Sequence, residues 1–225
     1  KRAAVLGAGN GGKATAADLT LQGVSVRLFE LPEFAEANLS ALRPPHEPVL
    51  RCVGEQLSGT ARLELVTDDL ATALGLAGLD GGASVPPVDT IFLCTVVQAQ
   101  ETMARLLAPL LASWPTNRSP LPSVVLNPGS TGGSLIVAKI WRELAVPTVP
   151  LLCEFGTLTY GCRAKGAEVN VAVKVQRVSY GVFPAERAGE IGPELERFFP
   201  GLFRCPTVLA AGLCNANPVI HPSIT

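Results

Sequence analysis

Short apolar runs punctuate this chain at regular intervals, and helix-like stretches fill the gaps between them. Runs at residues 3–6, 24–29, 89–95, 123–127 and 149–153 predict strands, and the one at 89–95 has the character of a strand buried on both faces. Residues 62–66 alternate polar and apolar positions, which adds a further half-buried strand. Between them, residues 13–21, 32–42, 100–111 and 134–144 carry helical patterns. Asp68 and Asp69 offer an N-cap for another short helix ending near Leu76. Pro- and Gly-rich stretches at 43–48, 75–87, 113–122 and 128–133 read as loops and turns. This strand–helix alternation predicts an α/β fold, with a doubly wound, mostly parallel sheet covered by helices on both faces.

From residue 154 the rhythm changes. Residues 160–163, 169–175 and 178–182 predict consecutive strands with short connections, and a helix follows at 186–199. We read this part as a mixed or antiparallel C-terminal extension of the same sheet. A last segment, 207–225, begins as an apolar helix.

The first strand runs directly into Gly7-Ala8-Gly9-Asn10-Gly11-Gly12, and an Ala-rich helix follows. Gly7 permits a sharp turn out of a strand. Gly9 leaves space for a pyrophosphate, and Gly12 lets the helix pack closely on the sheet. Free N–H groups at the helix start attract anionic oxygens. The second strand closes on Glu30, an acid about 20 residues on and placed for the ribose hydroxyls of NAD. These features predict a Rossmann-type dinucleotide-binding domain over 1–206. An ordinary Gly-rich turn with a chance acid is the alternative. Glu30 favours NAD, with NADP the second choice, because a carboxylate repels a 2′-phosphate. Arg27, three residues before Glu30, is expected on the opposite face of its strand and is discounted.

With 48% hydrophobic residues in 225 and only 16% charged, the chain has ample material for a core. A net charge of −1 gives no case for nucleic acid or an anionic membrane. No apolar run approaches a membrane span, and no signal-peptide pattern is present. Six scattered cysteines without a CxxC pair, several inside apolar runs, suit buried thiols in a reducing, cytoplasmic compartment. Two histidines, His46 and His221, give a metal site little support, and none is expected. The chain lacks an initial methionine and ends without a helix stop signal. It is therefore expected to be part of a longer protein, with 207–225 the start of a truncated helical substrate domain.

Ligands on such sheets bind beyond the carboxyl ends of the strands, near the point where strand order reverses. Thr95 and Val96, continuing to Gln98, are expected along the cofactor's path. Thr95 could equally do no more than end its strand. Asn127 could orient a ribose or a substrate carboxylate, or merely start the Asn-Pro-Gly turn. Glu154, at the end of a strand, could face the cleft or sit on a loop as an exposed acid. His221 could exchange a proton near neutral pH. From composition alone, it could also be an ordinary surface or core residue.

Taken together, GAGNGG (7–12), LFELPEF (28–34), LNPGSTGG (126–133), EFGTLTYGCR (154–163) and NANPVIHP (215–222) make the chain similar to the octopine/nopaline (opine) dehydrogenases. The resemblance runs through nearly the whole chain. It implies a nucleotide-binding domain followed by a helical domain, with the active site between them. It also implies an NAD(P)-dependent reductive condensation of a 2-oxo acid with the amino group of an amino acid. On that resemblance His221 is the catalytic acid/base; Asn217 and Glu154 are kept as candidate substrate contacts. The aspartate that partners the histidine in the family has no counterpart here. Small molecules are the expected partners, and oligomeric state is open. The alternatives are a glycerol-3-phosphate dehydrogenase- or ketopantoate reductase-like enzyme, or a non-catalytic NAD-binding module. Such reductases would be expected to use a lysine, but Lys165 and Lys174 lie in no supporting motif.

Overall fold

The computed structural model describes residues 1–77, 85–117 and 119–215. The elements follow in chain order: β1 (Arg2–Leu6), α1 (Asn10–Leu21), β2 (Ser25–Phe29), α2 (Pro32–Leu39), β3 (Val49–Val53), β4 (Gly59–Arg62), β5 (Leu65–Thr67) and α3 (Leu70–Leu74). Next come β6 (Thr90–Leu93), α4 (Val97–Ala112), β7 (Ser123–Leu126), α5 (Gly133–Glu143) and β8 (Leu152–Phe155). The rest are β9 (Tyr160–Lys165), β10 (Glu168–Lys174), β11 (Val178–Phe183), α6 (Ala188–Phe198), β12 (Leu202–Arg204) and α7 (Val208–Leu213).

Eight strands form the main sheet in the order β12-β11-β8-β7-β6-β1-β2-β5. Pairing is parallel from β5 through β8; β11 then runs antiparallel to β8, with β12 parallel to β11. The Rossmann-type α/β reading therefore holds. Strand order reverses between β2 and β6, on either side of β1, so the crevice opens beyond Leu6 and its register partner Leu93.

Side-chain alternation along the strands divides the core in two. Ala3, Val5, Val26, Leu28 and Phe92 face α1 and α6, whereas Ala4, Leu6, Phe29, Ile91 and Leu93 face α4 and α5. Strand β2 shows the same parity: Arg27 shares the second face and is fully buried, pairing with Glu64 at 3.0 Å and the Pro86 carbonyl at 2.8 Å. It stands away from Glu30, as its parity requires.

One expectation is corrected. Residues 160–165 and 168–174 do not extend the main sheet. They join β3 and β4 in a separate four-stranded sheet of order β4-β3-β10-β9. Only β11 and β12 form the mixed extension. Residues 62–66 likewise belong to two sheets, β4 ending at Arg62 and β5 starting at Leu65. Alternation reports which residues share a face of a strand, not which sheet pairs with it.

The second sheet explains the composition of α1. The helix lies between the two sheets, with Ala14, Ala16 and Ala17 wholly buried, so it has no solvent face to make polar. Its buried polar groups are each paired with a partner. Lys13 Nζ donates to the Gly166 carbonyl at 2.8 Å, and Thr15 Oγ1 donates to the Gly11 carbonyl at 2.8 Å. Asp18 accepts from Tyr160 Oη at 2.7 Å and pairs with Lys174 Nζ at 2.7 Å.

Candidate functional site

The turn between β1 and α1 is shaped by its glycines. Gly7 sits at φ +101°, and a Cβ there would stand 2.7 Å from the Cys94 carbonyl oxygen. At Gly12 a Cβ would fall 1.7 Å from the Gly7 carbonyl oxygen, so any side chain is excluded by backbone. Gly9 is the opposite case: among the described residues a Cβ would meet nothing within 4 Å. The turn is tight at its two ends and open in the middle.

Gly9 is also the N-cap of α1. No side chain caps the helix, and its first turn contains no acid, so among the described residues no side chain accepts from the free amides at its positive end. The neighbouring α4 starts in the same way, with Val96 at its N-cap and neither a side-chain cap nor a first-turn acid. Both helix starts border a cleft of about 480 Å³ lined by Gly9, Asn10, Gly11, Thr95, Val96 and Asn127, with Gln98 and Leu158 closing its sides. Thr95 lines this cleft, and among the described residues its buried Oγ1 has no hydrogen-bond partner. An unpaired buried hydroxyl costs roughly 1–3 kcal/mol and marks a place where a partner belongs.

Six of the nine residues singled out from the sequence for the cofactor thus meet in this cleft. Asn10 additionally accepts from the Ala164 amide at 2.8 Å, tying the turn to β9. Asn127 is buried, and its amide donates to Thr159 Oγ1 at 3.0 Å and more weakly to Thr15 Oγ1 at 3.3 Å. It therefore forms part of the cleft wall. Glu30 lies behind the turn, where its carboxylate accepts from the Ala8 and Leu31 amides at 2.9 Å each and from Asn38 Nδ2 at 2.8 Å.

Glu154 does not line the cleft. It is completely buried at the end of β8 and accepts from the Gly132 amide (2.6 Å), the Ser134 amide (3.0 Å) and Ser134 Oγ (2.6 Å) at the start of α5. Gly129 must be glycine to admit it, since a Cβ there would stand 1.8 Å from the Glu154 Cγ. An apolar strand ending in an acid looks the same in sequence whether the acid faces a cleft or caps a neighbouring helix. Asn217 and His221 lie outside the described residues.

Leu158 and Asn38 were not foreseen. Leu158 covers the turn, its Cδ1 2.8 Å from where a Gly11 Cβ would be. No local pattern distinguishes either residue from an ordinary loop leucine or a helix-surface asparagine.

The titratable groups around the turn are shifted by burial. Burial lowers the Lys13 ammonium from its usual value, partly offset by the attraction of Glu30. Burial pushes the Cys94 thiol up to about 12, and burial followed by the Asp18 charge holds the Tyr160 hydroxyl well above its usual range. All six cysteines are free. Among the described residues no cluster of His, Cys, Asp and Glu could hold a metal ion, and no helix is long and apolar enough to cross a membrane.

No protein-family model matches the chain. It is 28% identical over 223 residues to an opine dehydrogenase of Arthrobacter sp. (strain 1C), covering 99% of this chain and 55% of that protein. In fold it is similar to octopine dehydrogenase solved with NADH and L-arginine, with a TM-score of 0.74 at 20% identity, covering 99% of this chain and 53% of that one. Yersinopine dehydrogenase solved with NADP+ gives 0.68 at 17% identity, covering 98% and 51%. The chain spans about half the length of the relatives it matches.

Proposed function

We propose that this chain is the dinucleotide-binding part of an opine dehydrogenase-type oxidoreductase, taking NAD with NADP as the second choice. The observation that carries the reading is the open turn. Two uncapped helix starts, a glycine with free space around it and an unpaired buried hydroxyl converge on one cleft at the sheet's switch point. The similarity to opine dehydrogenases over nearly the whole chain supports the chemistry. So do the NADH and NADP+ named with the octopine and yersinopine enzymes.

In this reading Gly7, Gly9, Asn10, Gly11 and Gly12 form the pyrophosphate turn, with amides at the start of α1 donating to it. Glu30 stands toward the adenosine ribose. Thr95 Oγ1 and the Val96 backbone line the path of the dinucleotide, and Asn127 bounds the nicotinamide end. A bound nicotinamide supplies or accepts hydride. Residues 1–206 make up this unit, and the chain from 207 leads toward a substrate-binding unit. The substrates are a 2-oxo acid and an amino acid, condensed reductively to a secondary amine. His221, with Asn217 nearby in sequence, supplies the proton and orients the oxo acid.

Titration of the chain with NADH, followed by nicotinamide fluorescence, tests the first step, and saturable binding is expected. No binding at millimolar NADH overturns the reading. In a protein carrying the relatives' second half, His221→Ala should abolish oxo-acid-dependent NADH oxidation and leave NADH binding intact.

A further inference from the structure

We infer that Asn38 is a positioning residue for cofactor selection, acting through Glu30; this rests on the reading of the glycine turn as a dinucleotide site. Glu30 follows the last residue of β2 and is 7% exposed. Its Oε1 accepts from the Leu31 amide at 2.9 Å. Its Oε2 accepts from the Ala8 amide at 2.9 Å and from Asn38 Nδ2 at 2.8 Å. Asn38 belongs to α2, eight residues further along, and is half-buried. Among the described residues it is the only side chain hydrogen-bonded to Glu30.

A carboxylate offers about four lone-pair positions. Three are taken, and the remaining one lies on Oε1. The Ala8 amide belongs to the glycine turn, so the Glu30 charge is registered to that turn, and a hydroxyl donor is the partner it can still accept. The Leu31 and Ala8 amides hold one oxygen each. The Asn38 amide adds a second donor to Oε2 from α2 and stiffens the carboxylate further in that orientation. A fixed charge accepts a ribose hydroxyl without reorganising, and it cannot move aside for a 2′-phosphate dianion. A released one meets both less selectively. Asn38 thereby makes the charge of Glu30 count as selectivity for NADH over NADPH.

The test measures dissociation constants for NADH and NADPH by nicotinamide fluorescence, with a melting temperature recorded for each protein. The set is the unaltered chain, Asn38→Ala, Asn38→Leu, Asn38→Gln and Glu30→Ala. The unaltered chain should prefer NADH. Asn38→Ala should reduce that preference about fivefold or more, the effect expected of one charge-assisted hydrogen bond, with little change in melting temperature. Asn38→Gln, which keeps an amide donor, should restore part of it. Asn38→Leu lacks the donor but keeps the volume, so it repeats the test should the alanine variant fold poorly. An unchanged ratio in both donor-less variants, together with a collapsed ratio in Glu30→Ala, overturns the inference and leaves the reading of Glu30 standing. An unchanged ratio in Glu30→Ala as well, or no preference in the unaltered chain, overturns both. Equal weakening of the two cofactors without rescue by Asn38→Gln shows a merely structural role and also overturns the inference.

Discussion

Two helices begin at the same edge of the main sheet and end in opposite electrostatic states. At α5 the amides of Gly132 and Ser134 point at Glu154, which is completely buried and accepts from both and from the Ser134 hydroxyl. At α1 the corresponding start has no side-chain cap, no acid in its first turn, and free space over Gly9. The positive end of a helix attracts an anion in either case. At α5 the chain supplies that anion itself, and the helix start becomes structural. At α1 the described residues supply none, and the start is left open. Of the amides in the glycine turn Glu30 accepts from that of Ala8, ahead of the helix, so it braces the turn without capping α1.

The comparison can be broken most severely at the glycines. Gly12→Ala places a Cβ 1.7 Å from a backbone oxygen that cannot move independently, and it should cost about 3 kcal/mol or more, read as a fall in the urea midpoint. Gly9→Ala meets nothing among the described residues, so its midpoint should hold while NADH affinity drops about tenfold or more. If Gly9→Ala binds NADH normally, the open space over α1 is not where the cofactor lies.

Next in size, Glu154→Gln should destabilise by about 2–4 kcal/mol, because a buried amide N–H₂ would face the amide donors that the carboxylate now accepts from. The folded variant should bind NADH within about twofold of the unaltered chain. A specific loss of NADH affinity would place Glu154 in the cofactor site after all.

The smallest effect concerns how α1 is held. The Tyr160 hydroxyl, donating to Asp18, keeps its proton above its ordinary value of 10.0. Between that value and the raised one the folded state binds more protons than the unfolded, so stability falls as pH rises through this window. Tyr160→Phe should lower stability at neutral pH by about 1 kcal/mol and flatten this alkaline fall. The check is urea midpoints measured from pH 8 upward. An unaltered slope would remove Tyr160 from the account.

Much of the site was legible because glycine spacing encodes backbone constraints directly. Gly7 is required by its own positive φ and Gly12 by the Gly7 carbonyl in the same turn, and the α/β alternation followed from the order of the apolar runs. Thr95 and Asn127 could be placed because strand ends on a parallel sheet share one edge. Glu154 was ambiguous because its partners, Gly132 and Ser134, lie about 20 residues upstream and are brought to it only by the β7–α5–β8 packing.

The sequence by itself determined the α/β alternation, the glycine turn, the acid closing β2 and the parity that turns Arg27 away from it. All of these follow from local periodicity and local sterics. Tertiary structure decided the rest. It drew β9 and β10 into a second sheet over α1, which is why that helix is rich in alanine and its buried charges are paired. It also decided which carboxylate would cap a helix and which would stand beside an open turn, because the field at a helix start depends on what the fold brings to it.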